Sequence, residues 1–157
     1  MIPIRTLTQI AQQNLDIASG TLKVALLKET TEYTPDANAH EFVSDVLDGG
    51  TTGAEFDGTN YSRQPLANAA WTEDNTDSEA VYDADDVTWS DLGSNTGGQT
   101  VEAVLIYKQI GGDDTTPGDD PIIRIFDDSE EADLPKQTNG EPFTWSFDAE
   151  GIINLTP

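Results

Sequence analysis

Residues 100–126 read TVEAVLIYKQIGGDDTTPGDDPIIRIF. Two apolar runs, Val101–Tyr107 and Ile122–Phe126, flank a loop made almost entirely of Gly, Asp, Thr and Pro. Short runs rich in Val, Ile and Tyr and bounded by turn residues form strands, and a polar loop between two of them is a hairpin connection, here a long one. Ala103, Val104, Leu105, Ile106 and Tyr107 are apolar without alternation, so the first strand is expected inside the fold, covered on both faces. The hairpin is therefore the centre of the core, and the other strands are expected around it.

On the N-terminal side, Ile4, Leu7, Ile10 or Ala11, and Leu15 form one stripe at helical spacing, which predicts an amphipathic helix over Pro3–Asp16 with Gly20 just beyond its end. Leu22–Lys28 is a strand with Leu22, Val24 and Leu26 on one face. A turn at Tyr33–Asp36 precedes a second short helix over Ala39–Leu47, and Asp48–Asn60 is a Gly-rich loop. Further strands are expected at Tyr61–Leu66, weakened by Pro65, and over Ala67–Thr72 with Ala67, Ala69 and Trp71 on one face. Others follow at Ala80–Tyr82 and Val87–Leu92, with an acidic turn over Thr72–Ser78 and loops over Ser94–Gln99 and Asp127–Gly140. Near the C-terminus Phe143, Trp145 and Phe147 alternate with Thr144, Ser146 and Asp148, and a last short strand covers Ile152–Leu155. Seven or eight short antiparallel strands with two short helices predict a mainly β, single-domain sandwich or barrel-like fold. Residues 1–19 form a helical segment for packing or attachment, and residues 20–157 form the β-domain.

Charge is the extreme feature of the composition: 30 acidic residues against 7 basic ones give a net charge of −23. High charge with low hydrophobicity favours disorder, but 36% of the residues are apolar and they fall in periodic strands. The alternative is a folded protein coated with carboxylates and made for molar salt, where the Debye length falls to about 3 Å and self-repulsion is screened. Such a surface repels nucleic acid and anionic membranes alike. The chain has no cysteine, which excludes a disulfide framework and thiolate metal sites. No apolar run reaches the ~20 residues that span a bilayer, and the first residues lack the apolar segment of a signal peptide.

Few residues point to chemistry. His40 is the single histidine and stands beside Glu41, but Ser44 occupies the position where a zincin helix needs its second histidine, so a capping or packing role is expected. Asp83, Asp85 and Asp86, and likewise Asp113, Asp114, Asp119 and Asp120, offer oxygen ligands for Mg²⁺ or Ca²⁺. Neither run has the Ca²⁺-loop spacing, and each reads first as a plain solvated acidic loop. Gly49-Gly50 and Gly97-Gly98 precede no phosphate-binding lysine, and Asn60 and Asn154 begin glycosylation-type triplets that also arise by chance. Trp71, Trp89 and Trp145 have the chemistry to stack on sugars, but their place in alternating strands assigns them to the core. No catalytic set emerges, and no cofactor is expected.

Several segments, in order, resemble a family of small virion structural proteins of tailed viruses. They are LKVALL (Leu22–Leu27), YTPDANAHEFVSDV (Tyr33–Val46), YDADDVTWSDL (Tyr82–Leu92), EAVLIYKQIG (Glu102–Gly111) and FTWSFDAEGIINL (Phe143–Leu155), which together cover most of the chain. The resemblance implies a non-enzymatic, multi-copy protein of the virion. It would be a capsid-surface subunit of decoration, vertex or turret type, homo-oligomeric, in contact with the major capsid protein or with neighbouring copies of itself. Loops Asp113–Asp120 and Ser129–Lys136 are more acidic or longer than the family pattern, and the acidic excess suits a virus of a salt-loving archaeon. The alternative is a tail or fibre component contacting the host cell surface.

Overall fold

The computed structural model describes residues 1–28, 34–47, 54–93, 100–128 and 133–156. In chain order its elements are α1 (Ile4–Ala11), β1 (Thr21–Lys28), α2 (Val43–Leu47), β2 (Ala54–Glu55), β3 (Gln64–Pro65), β4 (Ala70–Asp74), β5 (Glu79–Asp83), β6 (Val87–Trp89), β7 (Thr100–Gln109), β8 (Ile122–Phe126), β9 (Lys136–Gln137), β10 (Phe143–Trp145) and β11 (Ile153–Leu155). Eight strands have three or more residues, and β2, β3 and β9 are two-residue additions. Among the described residues the fold is mainly β and all strand pairings are antiparallel, with no closed barrel.

β7 is the central strand. It pairs with β1 on one side and β8 on the other, in a six-stranded sheet ordered β2-β1-β7-β8, with β3 added to β1 and β9 to β7. Val101–Tyr107 is buried throughout, Glu102 included, as the continuous apolar run Ala103–Tyr107 requires. One face carries Leu22, Val24, Leu26, Val104 and Ile106 into a large core closed by Tyr82, Val87, Trp89, Phe143, Trp145, Ile152 and Ile153. Those closing residues belong to a three-stranded sheet, β11-β5-β4, a two-stranded pair, β10-β6, and the residue before β11. The other face carries Ala25, Leu27, Ala103, Leu105 and Tyr107 against Val43 and Val46 of α2. The result is a sandwich whose larger sheet has one sheet-covered face and one helix-covered face.

Two bulges reset the alternation. Leu27 pairs with Ala103 but Lys28 with Val101, so Glu102 is an extra residue in β7. Ile106 pairs with Arg124 but Tyr107 with Ile122, so Ile123 is the extra residue in β8. That insertion lets Ile122 and Ile125 enter one core while Ile123 and Phe126 enter the other.

Both helices are shorter than their sequence patterns predict. α1 stops at Ala11 because Gln13 takes a positive φ of 59° and Asn14 N–H turns back to Gln9 O at 2.8 Å. Leu15 then packs on the core outside the helix, and Gly20, with φ 83°, serves the turn into β1 instead. α2 begins at Val43 rather than Ala39 because the preceding residues are held elsewhere. Phe42 forms a bridge with Pro121, Ile122 N–H donates to Glu41 O at 2.9 Å, and Asp45 Oδ2 accepts the N–H groups of Glu41 and Phe42.

Other boundaries move as well. The turn expected at Tyr33–Asp36 lies at Asp36–Ala39, with His40 N–H bonded to Asp36 O, while Tyr33 is outside the described residues. Only Gln64–Pro65 of the expected Tyr61–Leu66 strand pairs, and β4 starts at Ala70 after Asn68, whose φ is 54°. The acidic turn is confined to residues 75–78 because β4 runs on to Asp74. The expected loop over Ser94–Gln99 lies outside the described residues.

Candidate functional site

A connected polar cluster gathers around the central hairpin. Arg63 makes a two-pronged pair with Glu55, Nε to Oε1 at 2.7 Å and Nη2 to Oε2 at 2.8 Å, and its third nitrogen donates to Tyr107 Oη at 3.4 Å. Tyr107 Oη in turn donates to Asp114 Oδ1 at 2.7 Å, Gln109 Nε2 donates to the same oxygen at 2.7 Å, and Lys23 Nζ pairs with Asp114 Oδ2 at 2.6 Å. Tyr61 bridges Glu55 Oε1 and the Leu26 N–H.

The electrostatics fit a closed structural network. The bond to Glu55 outweighs burial and holds Arg63 charged. Burial, reinforced by Glu55, pushes the Tyr61 hydroxyl up, and burial with the Asp114 bond does the same for Tyr107. Burial opposes ionisation of Asp114, but hydrogen bonds from Lys23, Tyr107 and Gln109 overcome it and hold its carboxyl below the ordinary value. Each charge has its counter-charge and each hydroxyl its acceptor. The cluster ties the hairpin loop to β1, β2 and β7 and presents no activated nucleophile or base.

Asp120 differs from its neighbours. It is fully buried, Oδ1 accepts the Ile110 N–H at 2.7 Å, and Oδ2 has no hydrogen-bond partner. Burial raises its pKa against the Ile110 bond, and the Asp114 charge adds to the rise.

The candidate cation ligands do not converge. Asp83 Oδ1 accepts the Ala84 N–H, Asp85 Oδ2 accepts from Asn68, and Asp86 Oδ2 accepts from Ser146. Asp113 Oδ1 holds the N–H and hydroxyl of Thr115, Asp114 faces two cations, and Asp119 lines a cleft beside α1. Among the described residues, the carboxylates that do come within 4.8 Å of one another are Asp74, Asp77 and Glu79, at the β4–β5 turn. The sequence marks this turn only as acidic. Asp74 Oδ1 accepts the N–H groups of Thr76 and Asp77, which lowers its pKa and gives the turn its shape.

His40 is buried, and its Nδ1 accepts the Asp36 N–H at 3.1 Å. Burial lowers its pKa against the nearby charges of Asp36 and Asp45, so the ring is a neutral packing element. Trp89 and Trp145 are core residues, Trp89 donating to Ser62 O at 2.8 Å and Trp145 lying 5.3 Å from the Phe126 ring. Trp71 is half-buried against Tyr82 and walls an open cleft of about 360 Å³ with Ile10, Leu15 and Ile17.

The surface carries two features that residue patterns did not reveal. First, all seven lysines and arginines are engaged by the fold. Arg5 pairs with Glu41, Lys23 with Asp114, Lys28 with Asp57 and Arg63 with Glu55. Lys108 donates to Asp16 O, Arg124 to Gly151 O and Ile152 O, and Lys136 Nζ lies 5.2 Å from the Phe143 ring centre. Second, α1 is set with Thr6 inward and Ile4 and Leu7 outward, at 53% and 44% exposure. Neither models of known protein families, nor curated proteins, nor solved structures match this chain.

Proposed function

We propose that this chain is a non-enzymatic structural subunit of a tailed-virus particle, a multi-copy capsid-surface protein of decoration, vertex or turret type adapted to high salt. The observation that carries the non-catalytic part is the saturated network around Arg63 and Asp114. The polar groups of this network hold the fold together, which leaves function to the surface. Support for the virion assignment comes from the ordered segments that resemble tailed-virus structural proteins. Support for high salt comes from a net charge of −23 with every cation drawn into a structural contact.

A rigid sandwich with a carboxylate surface suits a subunit that stays folded on a particle exposed to brine. Its partners would be the major capsid protein or neighbouring copies. The test is to purify particles, quantify the chain against tail proteins by mass spectrometry, and locate its density by electron cryomicroscopy. Symmetric copies on the capsid lattice or at its vertices are the expected result. Density confined to the tail would replace this reading with the tail or fibre one, and absence of the chain from particles would overturn both.

A further inference from the structure

A strap of chain, residues 36–42, closes part of the edge of the main sheet and ties α1 to it. β8 is the edge strand, and its outer backbone groups need partners. The strap supplies one, since Ile122 N–H donates to Glu41 O at 2.9 Å and Phe42 forms a bridge with Pro121. Nearer its start, Ile4 N–H, the first of α1, donates to Ala37 O at 3.0 Å. Beyond the strap, Val43 N–H donates to the Asp120 carbonyl at 3.0 Å, so α2 starts where the strap finishes.

One side chain pins the strap in this shape. His40 is 4% exposed, its backbone N–H donates to Asp36 O at 2.9 Å, and its ring Nδ1 accepts the Asp36 N–H at 3.1 Å. An Nδ1 that accepts carries no proton, so the ring is neutral with its hydrogen on Nε2. A second proton has to go on Nδ1. It would set a ring N–H against the Asp36 N–H, two donors with no acceptor between them, and leave a cation in a buried site. Both penalties are relieved when the strap lifts and the ring reaches water.

The surrounding charges do not offset this. Among the described residues, the carboxylates that act on the ring are those of Asp36 on the strap and Asp45 on α2, and both residues are exposed. Each is already occupied: Asp36 Oδ1 accepts the Asn38 N–H, and Asp45 Oδ2 accepts the N–H groups of Glu41 and Phe42. α1 brings Arg5, which is committed to Glu41 and to the Phe42 ring. The hairpin brings Asp119 and Asp120, and Asp120 meets the end of the strap through its backbone carbonyl. Burial of the ring outweighs the two carboxylates, and molar salt screens their attraction further.

We propose that His40 is a proton-sensitive pin: a second proton on its ring lifts residues 36–42 off the edge of β8, exposing the Ile122 N–H and untying the start of α1. His40 is the single histidine of the chain, so the release belongs to the mildly acid range, where ordinary carboxylates are still ionised. It does not depend on the chain being a virion subunit.

The test is amide hydrogen exchange of the full chain at about 1 M KCl, followed by NMR from about pH 7 to 5 and expressed as protection factors so that the intrinsic pH dependence drops out. Protection at Ile4, Asp36 and Ile122 should fall about threefold or more, while the ladder between β1 and β7 keeps its own. His40→Asn, an amide with an acceptor oxygen and no titration, should keep strap protection level over this range. Asp120→Asn should leave the wild-type loss in place, which separates the pin from that buried carboxyl. The ring signal, unambiguous with one histidine, should titrate below the ordinary histidine value, and the strap amides should shift with the same midpoint.

Level protection in the wild type, or an equal loss in His40→Asn, overturns the proposal. If His40→Asn lowers strap protection already at neutral pH, the wild-type ring decides. A midpoint at or above the ordinary histidine value, or strap amides that do not follow the ring, overturns the proposal, and a shared midpoint below that value upholds it.

Discussion

Tyr107 donates its hydroxyl to Asp114 Oδ1 at 2.7 Å, so the central strand β7 fastens the loop of its own hairpin. Lys23 on β1 and Gln109 reach the same carboxylate, and Arg63 approaches it at 3.7 Å. Replacing Asp114 by Ala therefore leaves Lys23 and the Tyr107 hydroxyl without their acceptor, at a cost of about 2–3 kcal/mol for a charge-assisted cluster. Tyr107→Phe removes one neutral donor and should cost about 1 kcal/mol. Denaturant unfolding at molar salt checks both. Equal costs for the two variants would show that the carboxylate does not organise the cluster.

Acidification should act on Asp114 and Asp120 in opposite senses. Asp114 has its folded pKa lowered, so its contribution is present above the ordinary carboxylate value and is lost as pH falls through the lower, folded one. Asp120 has its folded pKa raised by burial, so its ionised form opposes folding above that raised value. The penalty fades as pH falls through it towards the unfolded value of about 3.9. The Asp120 contribution should therefore rise from neutral pH into the window just above the ordinary Asp value, whereas His40, whose pKa burial lowers, gives up stability as pH falls through its ordinary value, and Asp114 gives up its own below the ordinary Asp value. Asp120→Asn should be more stable than wild type at neutral pH and should flatten the rise. Melting temperatures across pH at constant salt measure this, and a wild-type-like rise in the variant would remove Asp120 as its source.

Much of the β-architecture was legible because its signals are local. The unbroken apolar run of β7 requires cover on both faces, and the alternation of Phe143 and Trp145 on β10 requires cover on one. What was not legible depends on distant partners. The inward Thr6 answers a carbonyl of Ile122, and the late start of α2 follows from the bridge between Phe42 and Pro121. The bulges at Glu102 and Ile123 are set by registers between strands. The Arg63–Glu55 pair joins two segments read as loop or weak strand, and only folding makes them neighbours. Acidic runs such as Asp83–Asp86 looked like ion sites because sequence proximity does not say where carboxylates point.

The tryptophans make a direct optical test of the sandwich. Trp89 and Trp145 are 2% and 6% exposed, whereas Trp71 is half-buried at the wall of an open cleft. Acrylamide should quench a minor, red-shifted part of the emission, and Trp71→Phe should remove that part while leaving the remainder poorly quenched. Loss of quenching protection for the remaining two tryptophans in a folded variant would contradict their place between the sheets.

Salt should govern whether the fold persists at all. The seven cations make local contacts, yet they leave 23 carboxylates in excess on a 157-residue chain. Each added acid raises the work of compaction, and the unfolded chain relieves it by expanding. Screening removes most of that work once the Debye length falls from about 10 Å at 0.1 M to about 3 Å at 1 M. The exposed pairs Arg5–Glu41 and Lys28–Asp57 also weaken with salt, but such pairs contribute little, and the more sheltered pairs of Arg63 with Glu55 and Lys23 with Asp114 are screened less. The melting temperature should therefore climb steeply between about 0.1 and 1 M NaCl and level off above it. KCl should act like NaCl, because the effect is ionic strength. Neutralising exposed acids away from the described contacts, for example Glu73→Gln with Asp77→Asn, should shift the whole curve towards lower salt. A melting temperature indifferent to salt over this range would mean that carboxylate repulsion does not limit the fold.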